Sequence, residues 1–449
     1  MVSAAEQLAA NINLSAFGKA AELKRRLWFT IGALLVYRFG TFIPIPGVNP
    51  AAFAEAFQSQ SQGILGMFNM FAGGAVERLA IFALNIMPYI SAAIIMQLMT
   101  SVVPSLEALK KEGETGRKQI NQYTRYLTVA LAAVQAFGIA VGLEGSRGQS
   151  GPVVLDPGWF FRITTVITLV GGTMFLMWLG EQITARGVGN GISLIIMVGI
   201  VAEAPGALAG LFELARQGAI GPVLLVGLLV LMLASVAGIV YVERAQRRLL
   251  IQYPKRQMGN KVFQGEASHL PLKLNTAGVI PPIFASSLLL LPITVAQLQG
   301  AGPDWLQAVV ASLGRGQPLY FSVYVALIIF FAFFYTAVVF NPQDTADNLR
   351  KYGGFIPGIR PGQKTAEYID YVLTRITVVG ALYLALVCVL PEVLIAYAGV
   401  PFYFGGTSLL IAVSVTMDTV AQIQSHLIAQ QYEGLIKKAK LKGTPRPGR

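Results

Sequence analysis

The sequence predicts an all-α fold, that of a polytopic membrane protein with ten transmembrane helices. The 449 residues are 54% hydrophobic and only 12% charged, about half the charged fraction of a soluble domain. Ten apolar stretches are long enough, or nearly so, to cross a bilayer. Each should be a helix, because a helix satisfies its own backbone hydrogen bonds in lipid. Lysine and arginine are concentrated in alternate connections between these stretches.

The apolar stretches are the predicted spans 1 to 10. The fifth is the weakest, because Pro205 interrupts it. Residues 1–19 are mildly amphipathic and have neither the apolar core nor the cleavage site of a signal peptide, which predicts direct insertion into the membrane. The spans lie near residues 27–43, 79–103, 123–143, 160–184, 192–209, 220–242, 276–298, 320–340, 374–394 and 408–428.

The distribution of positive charge predicts the orientation of the spans. With both termini in the cytoplasm, the cytoplasmic segments hold 28 of the 34 lysines and arginines. This asymmetry is the positive-inside pattern of membrane proteins. The net charge of +12 is therefore attributed to loops that set topology, rather than to nucleic-acid binding.

Ten spans divide into two sets of five, which predicts two halves. The N-terminal half is residues 1–215, with spans 1–5. The C-terminal half is residues 216–449, with spans 6–10, cytoplasmic loops at about 243–275 and 341–373, and a cytoplasmic tail. An odd number of spans inverts the second half relative to the first. No repeat is visible at the residue level, so the inverted duplication is a geometric possibility.

The sequence predicts no enzyme, metal site or cofactor. His269 and His426 have no ligand neighbours at metal spacing, and Cys388 is the only cysteine. The glycines of 187–191 lack the preceding strand and the following Lys-Ser/Thr of a phosphate loop. Asp418 is the best candidate for a functional carboxylate inside the membrane, although a carboxylate that reaches solvent is the favoured interpretation.

Two spans contain prolines that predict kinks. Pro88 lies in span 2, and Pro281 and Pro282 lie in span 7. A proline inside a helix blocks the hydrogen bond to the carbonyl four residues earlier. Such kinks commonly serve packing, and they could also let two helices flex.

An apolar segment before span 2 is too short to cross the membrane. It runs from Gly66 to Gly74, and its alternatives are a surface turn or a re-entrant segment. Methionine packs adaptably, so the segment would suit a displaceable stopper. Its central residues are Met67, Phe68, Asn69, Met70 and Phe71.

The loop between spans 8 and 9 is basic and rich in glycine and proline. In 341–362, Pro357 and Pro361 restrict the backbone around Arg360. Topology alone would not need this rigidity, so the loop is interpreted as a handle that a partner grips.

Several of these segments together resemble the SecY family of protein-conducting channels. The similarity covers nearly all of the chain, from residues 22–27 to 431–432, with the motifs in order and at similar spacing. They are residues 42–47, 67–71, 86–91, 110–114, 122–126, 177–184, 189–193, 242–248, 341–362 and 401–408.

The resemblance implies an hourglass channel of two inverted five-helix halves around a central pore, with no catalysis. Segment 64–75 corresponds to the family's plug, a short helix, and spans 2 and 7 to the lateral gate, through which apolar segments enter lipid. Asn85 stands where relatives commonly have a small residue, and faces either a neighbouring helix or the pore. The pore ring corresponds to Ile86, Ile90, Ile196, Ile283 and Ile411.

The resemblance also implies partners. They are the small membrane subunits SecE and SecG, the SecA ATPase, the ribosome, signal peptides, preproteins and membrane lipids, with no nucleic acid contacted except ribosomal RNA. The expected location is the bacterial plasma membrane. A basic pair common in relatives reads Asn260-Lys261 in this chain. The implied docking residues for motor or ribosome are Arg244, Arg247, Arg248, Lys255, Arg256 and Arg360.

Two other functions are compatible with ten spans. A secondary transporter would need paired charges near the membrane midplane and a small-solute site. A membrane scaffold would need neither an apolar ring nor a plug-like segment. The sequence offers neither paired midplane charges nor a small-solute site.

Overall fold

The computed structural model describes residues 21–60, 69, 72–144, 147–148, 151–218, 221–253, 256–258, 261–263, 267–298, 312, 317–398 and 406–441. These residues are predominantly helical. The helices that position the site are α1 (Ala21–Gly40), α2 (Pro50–Gln60), α3 (Met87–Val102), α4 (Pro104–Lys111), α5 (Glu114–Glu144), α6 (Trp159–Arg186), α7 (Gly191–Arg216), α8 (Pro222–Arg244), α9 (Ile280–Leu298), α10 (Pro318–Val339), α11 (Pro342–Lys351), α12 (Gln363–Ala398) and α13 (Gly406–Leu441).

Short antiparallel strand pairs accompany the helices, so the all-α prediction holds only for the spans. The strands are β1 (Arg147–Gly148), β2 (Gly151–Pro152), β3 (Gln246–Gln252), β4 (Arg256–Met258), β5 (Lys261–Phe263) and β6 (Ala267–Lys273). Among the described residues, β1 pairs with β2, β3 with β6, and β4 with β5.

Each predicted span overlaps one helix. By length and apolarity, 7 helices among the described residues can cross a membrane, or 8 if α3 and α4, which meet at a bend of 97°, form one span. Helix α1 is not among these helices, and it carries an acidic and a basic side chain in its end turns. In α9, residues Ile280–Leu289 form an apolar helix that is shorter than the test requires. The count of ten therefore stays a prediction.

The predicted proline kinks are wrong. Pro88 occupies the first turn of α3, and Pro281 and Pro282 occupy the first turn of α9. A proline in the first turn costs no intrahelical hydrogen bond, because the N–H it lacks would have no partner there. Pro205 does not interrupt span 5 either, because α7 continues through it from Gly191 to Arg216.

Span 2 also begins later than the sequence predicts. Residues 72–86 form successive turns with a bridge at Ala80, and the helix starts at Met87. Two non-glycine residues in these turns, Leu79 (φ 43°) and Asn85 (φ 48°), have a left-handed backbone conformation. A right-handed helix cannot continue through such residues, so α3 does not extend back to residue 79. Backbone hydrogen bonds from Ile45 N to Leu79 O (3.0 Å) hold the turns against the segment after α1.

The two loops predicted to be cytoplasmic form one folded unit. Strand β3 continues to a two-way backbone pairing of Gln252 with Phe355, at 2.9 and 3.0 Å. Gly354 lies so close that a Cβ there would be 3.1 Å from Ile251 Cγ2 and 3.0 Å from Tyr253 Cε1. A buried apolar cluster joins the loops to α12: Leu249, Leu272, Ile356, Ile369, Val372 and Ile376. The loop after α10 therefore contains helix α11 and packs on the β3–β6 hairpin.

Candidate functional site

The structure brings the five predicted ring isoleucines into one apolar cluster. Ile86, Ile90, Ile196 and Ile411 belong to its buried core, and Ile283 packs against it. Four helices contribute, α3 with the N-cap residue that precedes it, α7, α9 and α13. The backbone hydrogen bond from Ile90 N to Ile86 O (3.0 Å) places these two side chains one helical turn apart, so they share a face.

A small cavity lies inside this cluster. Four of the five isoleucines line it, together with Met87, Asn85 and Ser286. Ser286 Oγ donates to the Ile283 carbonyl at 2.9 Å, within its own helix. Asn85 is only 2% exposed and lines the same cavity as four of the isoleucines. The cavity wall is predominantly apolar.

The four helices that carry the isoleucines contact one another in two pairs, and α9 also contacts α5. Helix α3 contacts α9, and α7 contacts α13. The second contact includes Thr416 Oγ1 and Met197 Sδ, 3.4 Å apart. Each pair joins a helix from the first 216 residues to one from the rest of the chain.

Of the predicted plug residues, the structure describes Asn69. Met67, Phe68, Met70 and Phe71 lie outside the described residues. Asn69 Oδ1 accepts from Glu77 N at 2.9 Å, and its Nδ2 donates to Glu77 Oε2 at 3.3 Å.

The last residues of the predicted plug segment 64–75 are anchored to neighbouring helices. Arg38 Nη1 donates to the Gly73 carbonyl at 2.6 Å. A Cβ on Gly73 would lie 3.0 Å from Gly199 Cα. The C-terminal end of the predicted plug segment is thus held between α1 and α7.

The predicted docking residues lie on the two joined loops. Arg244 ends α8, and Arg247 and Arg248 lie on β3; all three are exposed. Arg256 lies on β4, and Lys255 lies outside the described residues. Arg360 is exposed in the turn before α12, and its carbonyl accepts from Thr365 Oγ1 at 2.9 Å.

The hairpin that joins these residues was not predicted from the sequence. The signal was present in β3, where Leu249 and Ile251 are buried and alternate with exposed neighbours, the period of a half-buried strand. Its partner strand β6 aligns Leu249 with Leu270 and Arg247 with Leu272.

Charged groups form local pairs at the ends of the spans. Arg125 binds Glu181 through two nitrogens, with Nη2 2.8 Å from both carboxylate oxygens. Asp418 is exposed and lies 4.0 Å from Lys273 Nζ, as expected of a carboxylate that reaches solvent. The described residues hold no group of three or more His, Cys, Asp or Glu that could bind a metal.

The comparison with known families identifies the chain's relatives. A profile of the SecY family matches residues 80–420. The protein translocase subunit SecY of Rickettsia conorii is 55% identical over 421 residues, covering 94% of this chain and 97% of the relative. That of Escherichia coli (strain K12) is 56% identical over 431 residues, covering 96% and 97%.

Solved structures share the fold at low sequence identity. One described as a protein conducting channel has a TM-score of 0.66 at 16% identity, covering 89% of this chain and 92% of that one. A SecY structure that concerns the plug domain has a TM-score of 0.65 at 18% identity, with coverage of 89% and 92%. Sec61 in a canine ribosome-channel complex has a TM-score of 0.62 at 16% identity, with the same coverage. From its sequence relatives and its fold together, this chain belongs to the SecY family.

Proposed function

We propose that the chain is the pore subunit of a protein-conducting channel. It passes unfolded secretory polypeptides across the membrane and releases transmembrane segments sideways into lipid. The observation that carries the proposal is the convergence of Ile86, Ile90, Ile196, Ile283 and Ile411 from four helices in one apolar cluster, which contains a cavity lined by the first four. A narrow apolar constriction excludes water and therefore blocks ions. Branched side chains can still move apart around a polypeptide.

The proposed membrane topology has ten spans in two inverted halves, 1–215 and 216–449. Helices α1 and α9 supply the spans beyond those that pass the length and apolarity test. The excess of lysine and arginine in alternate loops supports cytoplasmic termini. In a bacterium the proposed location is the plasma membrane.

The proposed lateral gate is the contact of α3 with α9. The gate does not depend on kinks, because Pro88, Pro281 and Pro282 lie in the first turns of α3 and α9 and not in their interiors. What precedes each helix is a turn with left-handed residues, Asn85 before α3 and Gly278 (φ 63°) before α9. Turns at the ends of helices are where backbone angles can change while the helices move as rigid bodies.

The proposed plug is segment 64–75. One structural relative concerns a SecY plug domain that stabilises the closed state of the translocation channel. In this chain the anchoring of Gly73 by Arg38 supports a plug with a fixed base.

The joined β3–β6 hairpin and 352–362 loop are the proposed docking surface. Exposed arginines on a rigid unit suit carboxylates on a motor or phosphates of ribosomal RNA. Structural neighbours include a yeast Ssh1 complex bound to the ribosome. The proposed partners are a SecA-type ATPase, the ribosome, and the small subunits SecE and SecG.

A secondary transporter is the main competing function. It would place facing charges near the cavity, whereas the cavity is lined by five apolar residues with Asn85 and Ser286. A scaffold would leave the cluster without contact to a translocating polypeptide. Crosslinking from such a polypeptide separates the channel from both of these functions.

The experiment uses the chain's only cysteine, Cys388, as an internal control. Cys388 is buried in a different apolar cluster, with Leu384 and Leu410. A stalled secretory polypeptide with a single cysteine is reacted with Ile411→Cys channels through a short thiol crosslinker. We expect an adduct that the unsubstituted channel, with Cys388 alone, does not form. Equal adducts in both channels, or none at position 411, would refute passage through the cluster.

A further inference from the structure

The turn that precedes helix α9 is held by one buried side chain. Asn275 is 5% exposed, and its Nδ2 donates to Glu243 Oε1 at 2.7 Å and to the Gly278 carbonyl at 3.1 Å. Glu243 lies in the last turn of α8. The side-chain amide of Asn275 therefore joins the end of α8 to the turn before α9, and both of its N–H donors are used.

The same turn is held against two further helices. Leu274 N donates to the Ala245 carbonyl at 3.0 Å, which closes the base of the β3–β6 hairpin. A Cβ on Gly380 of α12 would lie 2.6 Å from the Leu274 carbonyl oxygen, and Ser414 of α13 faces the Glu243 carboxylate. Helices α8, α12 and α13, all from the proposed C-terminal half, thus hold the predicted cytoplasmic end of α9.

Gly278 follows this anchored turn and has open space around it. It has φ 63°, and a Cβ there would meet no atom within 4 Å. The left-handed backbone, and not a close neighbour, is therefore what favours glycine at this position. Because glycine changes its backbone angles at little steric cost, the chain can bend here while the Asn275–Glu243 bond stays intact.

Beyond Gly278, helix α9 faces both proposed halves. It contacts α3 and α5 of the first half and α10 of the second. With α10 it shares an edge-on contact of Phe284 with Phe331, whose ring centroids are 5.6 Å apart. If α9 leaves α3 and α5 while the turn stays anchored, the chain must bend between the turn and the helix. Gly278 lies at that point.

We propose that Glu243 and Asn275 are positioning residues that anchor the cytoplasmic end of α9, and that α9 pivots at Gly278 when the gate opens. The two bonds of Asn275 then have different roles. The bond to Glu243 persists during opening, whereas the bond to the Gly278 carbonyl holds the resting angle and breaks as Gly278 rotates. This inference rests on the proposed channel function and its gate.

The first test fixes the anchor covalently in a Cys388→Ala background. Glu243→Cys and Asn275→Cys are joined by a short bifunctional thiol reagent, and export of a preprotein into vesicles is measured before and after linking. The comparison channel carries Met87→Cys with Ser286→Cys, two residues that line the cavity from α3 and α9. The 243–275 link should leave export at the rate of the unlinked variant, while the 87–286 link should stop it.

The two links separate the pivot from the gate. If both links stop export, the anchor has to come apart during opening, so the pivot is overturned and the proposed channel with its gate stands. If the 87–286 link leaves export intact, the proposed gate is wrong and the pivot falls with it.

The second test measures hydrogen exchange at residues 283–286, in the first turns of α9 of the idle channel. Amide exchange reports how often a segment opens locally. Asn275→Ala loses both bonds and should raise the exchange rate at least about tenfold, the effect of one hydrogen bond to a charged group on an equilibrium. The matched control is Asn49→Ala, which also removes two side-chain bonds, from Ala51 N and Ala52 N of α2. The control should leave the exchange rate of α9 unchanged.

A reciprocal substitution separates the two bonds of Asn275. In Asn275→Asp the new carboxylate repels Glu243 and has no N–H to donate. Adding Glu243→Gln restores a donor and an acceptor between positions 243 and 275, but no donor for the Gly278 carbonyl. The exchange rate of the double variant should therefore lie between those of Asn275→Asp and the unsubstituted channel.

Each other result contradicts part of the proposal. Exchange as fast in the double variant as in Asn275→Asp, or no change in Asn275→Ala, overturns the anchoring role of the pair. Exchange in the double variant at the unsubstituted rate overturns the role of the Gly278 bond.

Discussion

Polar substitution inside the isoleucine cluster should make the idle channel leak ions. The substitution is Ile90→Ser with Ile196→Ser, two residues from different helices that line the cavity and are 7% and 5% exposed. Each serine hydroxyl offers water a hydrogen bond worth about 1 kcal/mol. Two hydroxyls shift the balance between a dry and a wet constriction by about 2 kcal/mol, or about thirtyfold. Ion leakage should rise in proportion.

The matched control is a pair of equally buried leucines away from the cluster. Leu289 (5% exposed) and Leu384 (0%) belong to the core between α9, α10 and α12. Replacing both with serine should destabilise the fold by a few kcal/mol, as replacing the isoleucines should, because both pairs lose buried apolar volume. Only the isoleucine pair should leak.

The assay is the conductance of planar bilayers that contain the purified channel without substrate. Ile90→Val with Ile196→Val should stay closed, since both side chains remain branched and apolar. The reasoning is refuted if the two serine pairs leak equally, or if the isoleucine pair is folded and as tight as the unsubstituted channel.

The remaining predictions concern the docking loop, the gate and the packing of the last two helices. Arg360→Glu should impair ATP-dependent export far more than assembly, and Arg360→Lys should be intermediate, because lysine keeps the charge and loses the planar guanidinium. Crosslinking Met87→Cys to Ser286→Cys should stop export. Gly406→Ala should lower the free energy of unfolding of the detergent-solubilised protein by about 1–3 kcal/mol, and with it the melting temperature, since a Cβ there would collide with the Val387 carbonyl of α12.

These predictions have distinct controls. Normal export by Arg360→Glu at normal protein levels would make the loop a spacer that only sets topology. Undiminished export by the linked channel would remove the gate assignment. Gly142→Ala is the control for Gly406, because a Cβ there meets no atom within 4 Å. Equal melting temperatures for the two alanine variants would show that α12 and α13 can separate at little cost.

The loop around Arg360 shows which features a sequence pattern can predict and which it cannot. Glycine and proline favour turns, and the structure has turns at 352–353, 357–358 and 361–362. The pairing of Phe355 with Gln252 was not predicted, because the sequence of one strand does not reveal which distant segment will hydrogen-bond to its edge. The docking surface is thus defined by a long-range contact.

The prolines show the same limit at the start of the spans. Pro88 within an apolar run predicts an interrupted helix from local rules alone. The tertiary structure starts α3 at Met87 instead, because the preceding turns hydrogen-bond to the segment after α1, as Ile81 N does to Ile43 O at 2.9 Å. Competition between helix extension and such contacts decides where the helix begins.

The sequence by itself determined that this chain crosses membranes many times, and its motifs determined its family. Both follow from properties that are local along the chain: apolar length, loop charge and short motifs. Only the tertiary structure decided which four of the five expected isoleucines line one cavity, and that the Gly189 N–H donates to Gln422 Oε1. The physical reason is that a span is apolar on its lipid face and on its core face alike, so its hydrophobic pattern does not reveal which side meets another helix.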